Sequence, residues 1–330
     1  MKGKEIAVVT GGTGFVGSHL VDLLLAKNYE VRCIVRKTSN LRWLKNKDVK
    51  LYDSGLFDKE ALKNILKDAD YLYHIAGVVK AKTEEGYFKG NVETTKNLLE
   101  VVSEVNPGIK KVVVMSSLTA CGPAKNGKPC TEETEPHPIT TYGRSKLAQE
   151  EVAKSYMSKL PVTITRAPGV YGERDTEIYL MFKTYKQGLM TIVGFDKKLV
   201  SLIHVADLVK GIYQAGINEK STGEIYFISS EEYYDWNRIS EGIKQAMGRG
   251  AIKIRLPHFL VYTVAAFAQF FAMFSNKPAT FNLEKARDFV QKYWICDVSK
   301  AKRDLGFRQE ISLEDGLKRT IDWYKRENWL

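Results

Sequence analysis

The feature that most constrains this chain is a run of glycines between a short apolar segment and a helix-like one. Residues 6–10 read Ile-Ala-Val-Val-Thr, and Gly11-Gly12-Thr13-Gly14-Phe15-Val16-Gly17 follows. Apolar residues then recur at helical spacing over 18–27, and 31–35 read as a second strand. The glycines stand at 11, 14 and 17. The first permits a tight turn, the second lets the backbone approach a pyrophosphate, and the third lets helix and strand pack closely. The helix then presents free N–H groups and the positive end of its dipole to the phosphates. The pattern implies a βαβ unit that binds a dinucleotide through Gly11, Thr13, Gly14, Phe15, Val16 and Gly17.

The end of the second strand bears on which dinucleotide. A carboxylate there would accept from the ribose 2′-hydroxyl. This strand ends in Arg36-Lys37, a cation pair suited to a 2′-phosphate. The expectation is NADP, with NAD as the alternative.

Strand and helix patterns alternate through the first half. Residues 49–52, 71–75, 112–116 and 162–166 read as further strands, with helices over 58–67 and 91–106. Beyond residue 172 the pattern loosens into a helix over 176–188, a strand over 201–204, a helix over 207–216 and a last strand over 224–229. The remainder reads as mostly helical. The fold class is α/β: a doubly wound parallel sheet with a smaller, mostly helical C-terminal lobe. Residues 1–172 and 203–230 would form the dinucleotide-binding domain, and 173–202 with 231–330 the substrate lobe.

A constellation with chemical potential lies between these parts. In Tyr142-Gly143-Arg144-Ser145-Lys146 the tyrosine and lysine are four residues apart, on one face of a helix. A nearby ammonium lowers the pKa of a phenol. Such a tyrosine can exchange a proton with an alcohol or carbonyl oxygen while hydride moves to or from a nicotinamide. The strand at 112–116 runs into Ser116-Ser117, and ligands of such sheets bind beyond the carboxyl ends of the strands. Ser117 can polarise the substrate oxygen there.

With these residues in view, the chain resembles the extended short-chain dehydrogenase/reductase superfamily. The likeness runs through the glycine turn, His74-Ile75-Ala76-Gly77, Asn91, Ser116-Ser117, Tyr142 to Lys146, Arg166 to Gly172 and Ile203 to Asp207. It implies a Rossmann sheet with Ser117, Tyr142 and Lys146 as catalytic triad, and Lys146 on the nicotinamide ribose. It also implies cofactor contacts from Leu56, Ala76, Gly77, Asn91, Ser116, Pro168, Gly169 and Val170, and pairing into a homodimer. The family's acidic contact after the third strand is missing, since Ser54-Gly55-Leu56 stands there.

Two positions bear on the branch. Sugar-nucleotide members commonly carry an asparagine where this chain has Gly169, and an arginine where it has Val200. Both would hold a diphosphate, although Lys197 or Lys198 could partly compensate. Residues 256–274 are apolar nearly all round and flanked by Lys253, Arg255 and Lys277. They suit a pocket-lining helix, a monotopic membrane contact or an oligomer interface. The closest likeness in style is to dihydroflavonol reductase and 3β-hydroxysteroid dehydrogenase-like members.

The net charge of +11 comes from scattered basic residues, so no nucleic-acid partner is expected. Cys33, Cys121, Cys130 and Cys296 form no C-x-x-C pair or zinc spacing; reduced thiols, no metal and a cytoplasmic setting, with membrane association left open, are expected. Residues 1–5 lead straight into the first strand with no signal peptide. The expected function is NADP-dependent interconversion of a ketone and a secondary alcohol on a fairly apolar small molecule. A nucleotide-sugar epimerase or dehydratase, and a non-catalytic NADP(H)-sensing protein, are the alternatives.

Overall fold

The computed structural model describes residues 3–274 and 281–330. Strands β1 (Ile6–Thr10), β2 (Glu30–Ile34), β3 (Val49–Tyr52), β4 (Tyr71–His74), β5 (Lys111–Ser117) and β6 (Val162–Ala167) join Ile225–Phe227 in one seven-stranded sheet. Every pairing is parallel, in the order Ile225–Phe227, β6, β5, β4, β1, β2, β3. The chain starts mid-sheet, builds outward through β2 and β3, and returns to the other side of β1. The winding therefore reverses between β1 and β4, and a crevice opens there beyond the strand ends.

Helices α1 (Phe15–Ala26), α2 (Lys59–Leu66), α3 (Glu84–Phe88), α4 (Thr94–Val105), α5 (Leu118–Cys121) and α6 (Thr141–Ser155) follow the strands. Strand residues alternate between two cores. Ala7, Val9 and Val113 pack with Leu20 and Leu24 of α1 and with Leu208 and Ile212. Val8, Val112 and Val114 pack with Leu62, Leu98 and Val102 of α2 and α4. Both faces are covered, which is why β5 carries the run Val112-Val113-Val114-Met115 and every residue of β6 is buried.

Helix α6 meets the sheet differently. Its buried residues include Ser145, Lys146, Gln149 and Glu150. The Glu150 carboxylate accepts from Arg166 Nε at 2.9 Å and Nη2 at 2.7 Å, and from the Ser116 hydroxyl. Glu150 is fully enclosed, and the Arg166 guanidinium lies 5.3 Å from the centre of the Phe227 ring.

The C-terminal part carries helices Trp236–Met247, His258–Met273, Leu283–Val290, Ser299–Leu305 and Leu313–Arg326. It has its own core, with Phe182, Tyr185, Tyr234, Ile243, Leu317 and Tyr324. It is less purely helical than expected. Leu189–Val193 pairs in parallel with Ile252–Leu256, and Leu199–Val200 with Tyr293–Trp294. These are two-stranded pairs of two to five residues, too short for periodicity to separate from loops, although Ile-Lys-Ile-Arg-Leu does alternate. The strand expected over 201–204 is Leu202–His204, paired with Gly169–Tyr171 outside the main sheet. Lys277 lies outside the described residues. All four cysteines are buried free thiols.

Replacing Glu150 with Leu strands a buried guanidinium and should destabilise the fold by about 3–5 kcal/mol. Pairing it with Arg166→Met should recover much of that loss, read from urea unfolding midpoints. Equal stability of the single and double variants would show that the ion pair does not hold α6.

Candidate active site

The glycine turn is closed to other residues by contact. Gly11 adopts a φ of +73°, and a Cβ on it would lie 2.7 Å from the backbone nitrogen of Ala76. A Cβ on Gly17 would lie 2.1 Å from the Gly11 carbonyl oxygen. Gly14 is the N-cap of α1, with no side chain capping the helix and no acidic residue in its first turn. Gly14 donates to the Gly11 carbonyl at 2.9 Å, which leaves the N–H groups of Thr13, Phe15 and Val16 for an anion, and the turn fits a dinucleotide pyrophosphate.

Arg36 and Lys37 are exposed just past β2, and neither pairs with a carboxylate among the described residues. Arg36 bridges to Ser54, and Gly55 donates to the Val35 carbonyl at 2.9 Å with a φ of +66°. The loop at 53–56 therefore folds against the end of β2. Leu56 packs on the core beneath α2 and α4, and its carbonyl accepts from Asn97 at 3.1 Å.

From the turn the groove continues along Ala76 and Gly77. Ala76 backs Gly11, and a Cβ on Gly77 would lie 3.8 Å from Lys146 Nζ. Ser117 ends β5, and its Oγ accepts from the Thr119 amide at 3.2 Å and hydroxyl at 2.9 Å. Tyr142 and Lys146 share one helix, α6. Burial lifts the Tyr142 phenol to about 12, against a smaller opposing pull from the nearby Ser117 side chain. Burial brings Lys146 down to about 8.

Lys146 is anchored from below. Its Nζ donates to the Met115 carbonyl at 2.7 Å and to the Gln149 side-chain oxygen. Gln149 Nε2 donates to Thr95 Oγ1 at 2.8 Å. Thr95 Oγ1 lies 2.9 Å from His74 Nε2, and His74 Nδ1 lies 2.7 Å from Thr10 Oγ1. Burial pushes His74 down to about 3, so the ring is neutral at ordinary pH. The Thr95 hydroxyl donates to the Asn91 carbonyl at 2.7 Å, which assigns the ring proton to Nε2. A continuous polar chain therefore runs from the end of β1 to Lys146.

Several residues expected on the cofactor make contacts within the protein. The Ser116 hydroxyl points to Glu150, because neighbouring strand residues face opposite ways. The Asn91 amide is occupied by Val78 N at 2.7 Å, Val78 O at 3.1 Å and Ser145 Oγ at 2.9 Å. It fastens the loop beyond Gly77 to α6. Pro168 leads into Gly169–Tyr171, where a Cβ on Gly169 would lie 2.7 Å from a Leu202 methyl. Val200 pairs through its backbone with Tyr234. Lys198 is buried, and its Nζ donates to the carbonyls of Val290 at 2.6 Å and Gln291 at 3.2 Å and pairs with the Asp196 carboxylate at 3.4 Å.

Beside Tyr142 lies a cavity of about 60 Å³, lined in part by Val79, Tyr87, Glu284 and Asp288. Asp288 was not legible in the sequence; nothing at its own position marks it. Its Oδ1 has no hydrogen-bond partner among the described residues, and burial with the nearby Glu284 charge pushes its carboxyl up to about 7. A second cavity of about 350 Å³, between Phe195 and Trp236, shares no lining residue with this one. Among the described residues no cluster of three or more His, Cys, Asp or Glu could hold a metal ion.

The sheet order and the glycine turn define an enzyme fold built around a dinucleotide. Residues 7–229 match the model of the NAD dependent epimerase/dehydratase family, and the chain belongs to that family. It is 27% identical to a ceramide reductase of Caulobacter vibrioides, over 99% of this chain and 96% of the relative. It is 24% identical to a human sterol-4-alpha-carboxylate 3-dehydrogenase, decarboxylating, over 96% of this chain and 87% of the relative. The crystal structure of a UDP-glucose 4-epimerase from Thermotoga maritima with UDP-glucose superposes with a TM-score of 0.81 at 24% identity, covering 98% of this chain and 99% of that one.

Asp288 should titrate near pH 7 instead of near its ordinary value of 3.8. A side-chain carboxyl ¹³C resonance moving around pH 7, and missing from Asp288→Asn, checks this. If every aspartate has finished titrating by pH 5, the buried-carboxyl account is wrong.

Proposed function

We propose that the protein is an NADP-dependent oxidoreductase that interconverts a ketone and a secondary alcohol on a fairly apolar small molecule. The observation that carries this reading is Tyr142 lining a small cavity near Ser117, with Lys146 anchored on the same helix. Residues 1–172 with 203–230 hold the dinucleotide, and 173–202 with 231–330 complete the substrate side. The bound nicotinamide supplies or accepts the hydride.

The chain's own groups do the rest. The uncapped start of α1 holds the pyrophosphate, while Arg36 and Lys37 meet the 2′-phosphate. Lys146 places its ammonium beside Gly77, where it binds the ribose and favours the phenolate. Ser117 donates to the substrate oxygen. Tyr142 gives its proton to that oxygen as the carbonyl carbon is reduced, and takes it back in the other direction. With burial holding Tyr142 at about 12, the protonated phenol needed for reduction is the resting form.

The apolar substrate is supported by what the site lacks. Gly169 and Val200 offer no fork-shaped donor to a diphosphate, and Lys198 is spent on two carbonyls. Relatives named ceramide reductase and sterol-4-alpha-carboxylate 3-dehydrogenase fit this reading. The likeness to a UDP-glucose 4-epimerase keeps nucleotide-sugar epimerisation as the second reading. New sugar products from UDP-, GDP- or dTDP-sugars without added NADPH would select it.

Tyr142→Phe should lower turnover of hydrophobic ketones by about 10²–10⁴-fold. NADPH binding, followed by nicotinamide fluorescence, should stay nearly unchanged. Full turnover in that variant would sink the mechanism. Arg36→Ala should weaken NADPH binding by about 10–100-fold, the loss expected for a charge-assisted bond, while barely changing NADH. Equal effects on both cofactors would remove Arg36 from the 2′-phosphate.

A further inference from the structure

The helix His258–Met273 carries no Asp, Glu, Lys or Arg, and its amphipathicity is inverted. The stripe turned to the protein is small: Val261 and Ala265 are buried against Ala286 of Leu283–Val290. The large side chains face out. Phe259 is 72 % exposed, Phe271 66 % and Phe274 78 %, with Val264, Phe267 and Phe270 beside them. The hydrophobic effect ordinarily puts such rings inside and charge outside. Ile252 and Ile254, on the strand leading into this helix, are exposed as well.

The sequence around it is positive, although Asp196 lies 3.6 Å from His258 at the start of the helix. Between Glu241 and Glu284 the sequence has no acidic residue, but it has Lys244, Arg249, Lys253, Arg255 and Lys277. Lys253 and Arg255 alternate with the exposed isoleucines and are themselves exposed. Neither pairs with a carboxylate among the described residues. The helix has 16 residues and spans about 24 Å, short of a hydrocarbon core of about 30 Å. Among the described residues no helix is long and apolar enough to cross a membrane. A two-fold pairing of this face would bring the same cations together, which disfavours a second copy as its occupant.

We propose that helix His258–Met273 and strand Ile252–Leu256 dock on the surface of an anionic phospholipid membrane. The phenylalanines enter the boundary between headgroups and acyl chains, and Lys253 and Arg255 lie against the phosphates. Helix Leu283–Val290 separates this face from the cavity at Tyr142, packing on one with Ala286 and lining the other with Glu284 and Asp288. A lipid-like ketone leaving the bilayer there has one helix to pass before it reaches Tyr142. That last step rests on the oxidoreductase reading; the docking does not.

Flotation of the full chain with phosphatidylcholine vesicles, and with phosphatidylcholine–phosphatidylglycerol vesicles, tests the docking. Wild type should float with the mixed vesicles and much less with the neutral ones. Phe259→Ser/Phe267→Ser/Phe271→Ser, and separately Lys253→Glu/Arg255→Glu, should each lose about tenfold or more of that binding. Unchanged NADPH titrations would certify that both variants are folded. Wild type that stays unbound with both vesicles would overturn the proposal. So would a dimer in sedimentation velocity that the phenylalanine variant dissolves while vesicle binding is nil. Intact flotation with no turnover on any ketone would instead defeat the oxidoreductase reading alone.

Discussion

The carboxylate of Glu150 holds the guanidinium of Arg166 and the hydroxyl of Ser116 in a place closed to water. This contact fixes α6 against β5 and β6, and the candidate site depends on it. Helices that pack by apolar stripes can slide or turn by small amounts at modest cost. A buried ion pair tolerates no such play, because a misplaced partner leaves a charge without water. Lys146 and Gln149, one turn or less from Glu150, inherit that fixed position. They pass it through Thr95 and His74 to Thr10, beside the glycine turn. The dinucleotide end and the chemical end of the groove are therefore set by one connected system of hydrogen bonds.

Much of this was legible in the sequence because local rules and tertiary demand agree there. β1 and β5 carry apolar runs since both faces of the sheet are covered there, and Gly11 and Gly17 leave no room for a side chain. The tyrosine–lysine spacing survives because it is a property of one helix. Other features were hidden for physical reasons. Ser116 is chemically like its neighbour Ser117, and only the pleat turns it to Glu150. Asp288 reaches the site from a helix distant in sequence. Lys198 reads as a free cation until Val290 and Gln291 bring their carbonyls to it. The short strand pairs of the C-terminal part lie below the length at which a period can be read.

Members of this family with different chemistry share the same cradle for the dinucleotide, so the cradle says little about the substrate. Discrimination falls to the rim of the crevice. In this chain Gly169 and Val200 offer no forked donor, and the carboxyls of Glu284 and Asp288 line the cavity with Tyr142. A carboxyl held near pH 7 is both donor and acceptor over the ordinary range. It suits a hydroxyl or amide on an otherwise apolar molecule better than it suits a phosphate.

Helix Leu283–Val290 has two loaded sides, Ala286 against the outer helix and Asp288 on the cavity, and it is fastened at both ends. The Lys198 ammonium takes the carbonyls of Val290 and Gln291, and the Glu284 carboxylate accepts from the Thr141 amide at 2.8 Å and hydroxyl at 2.6 Å. Thr141 opens α6, so the wall of the cavity and the helix that bears Tyr142 and Lys146 are clamped to each other.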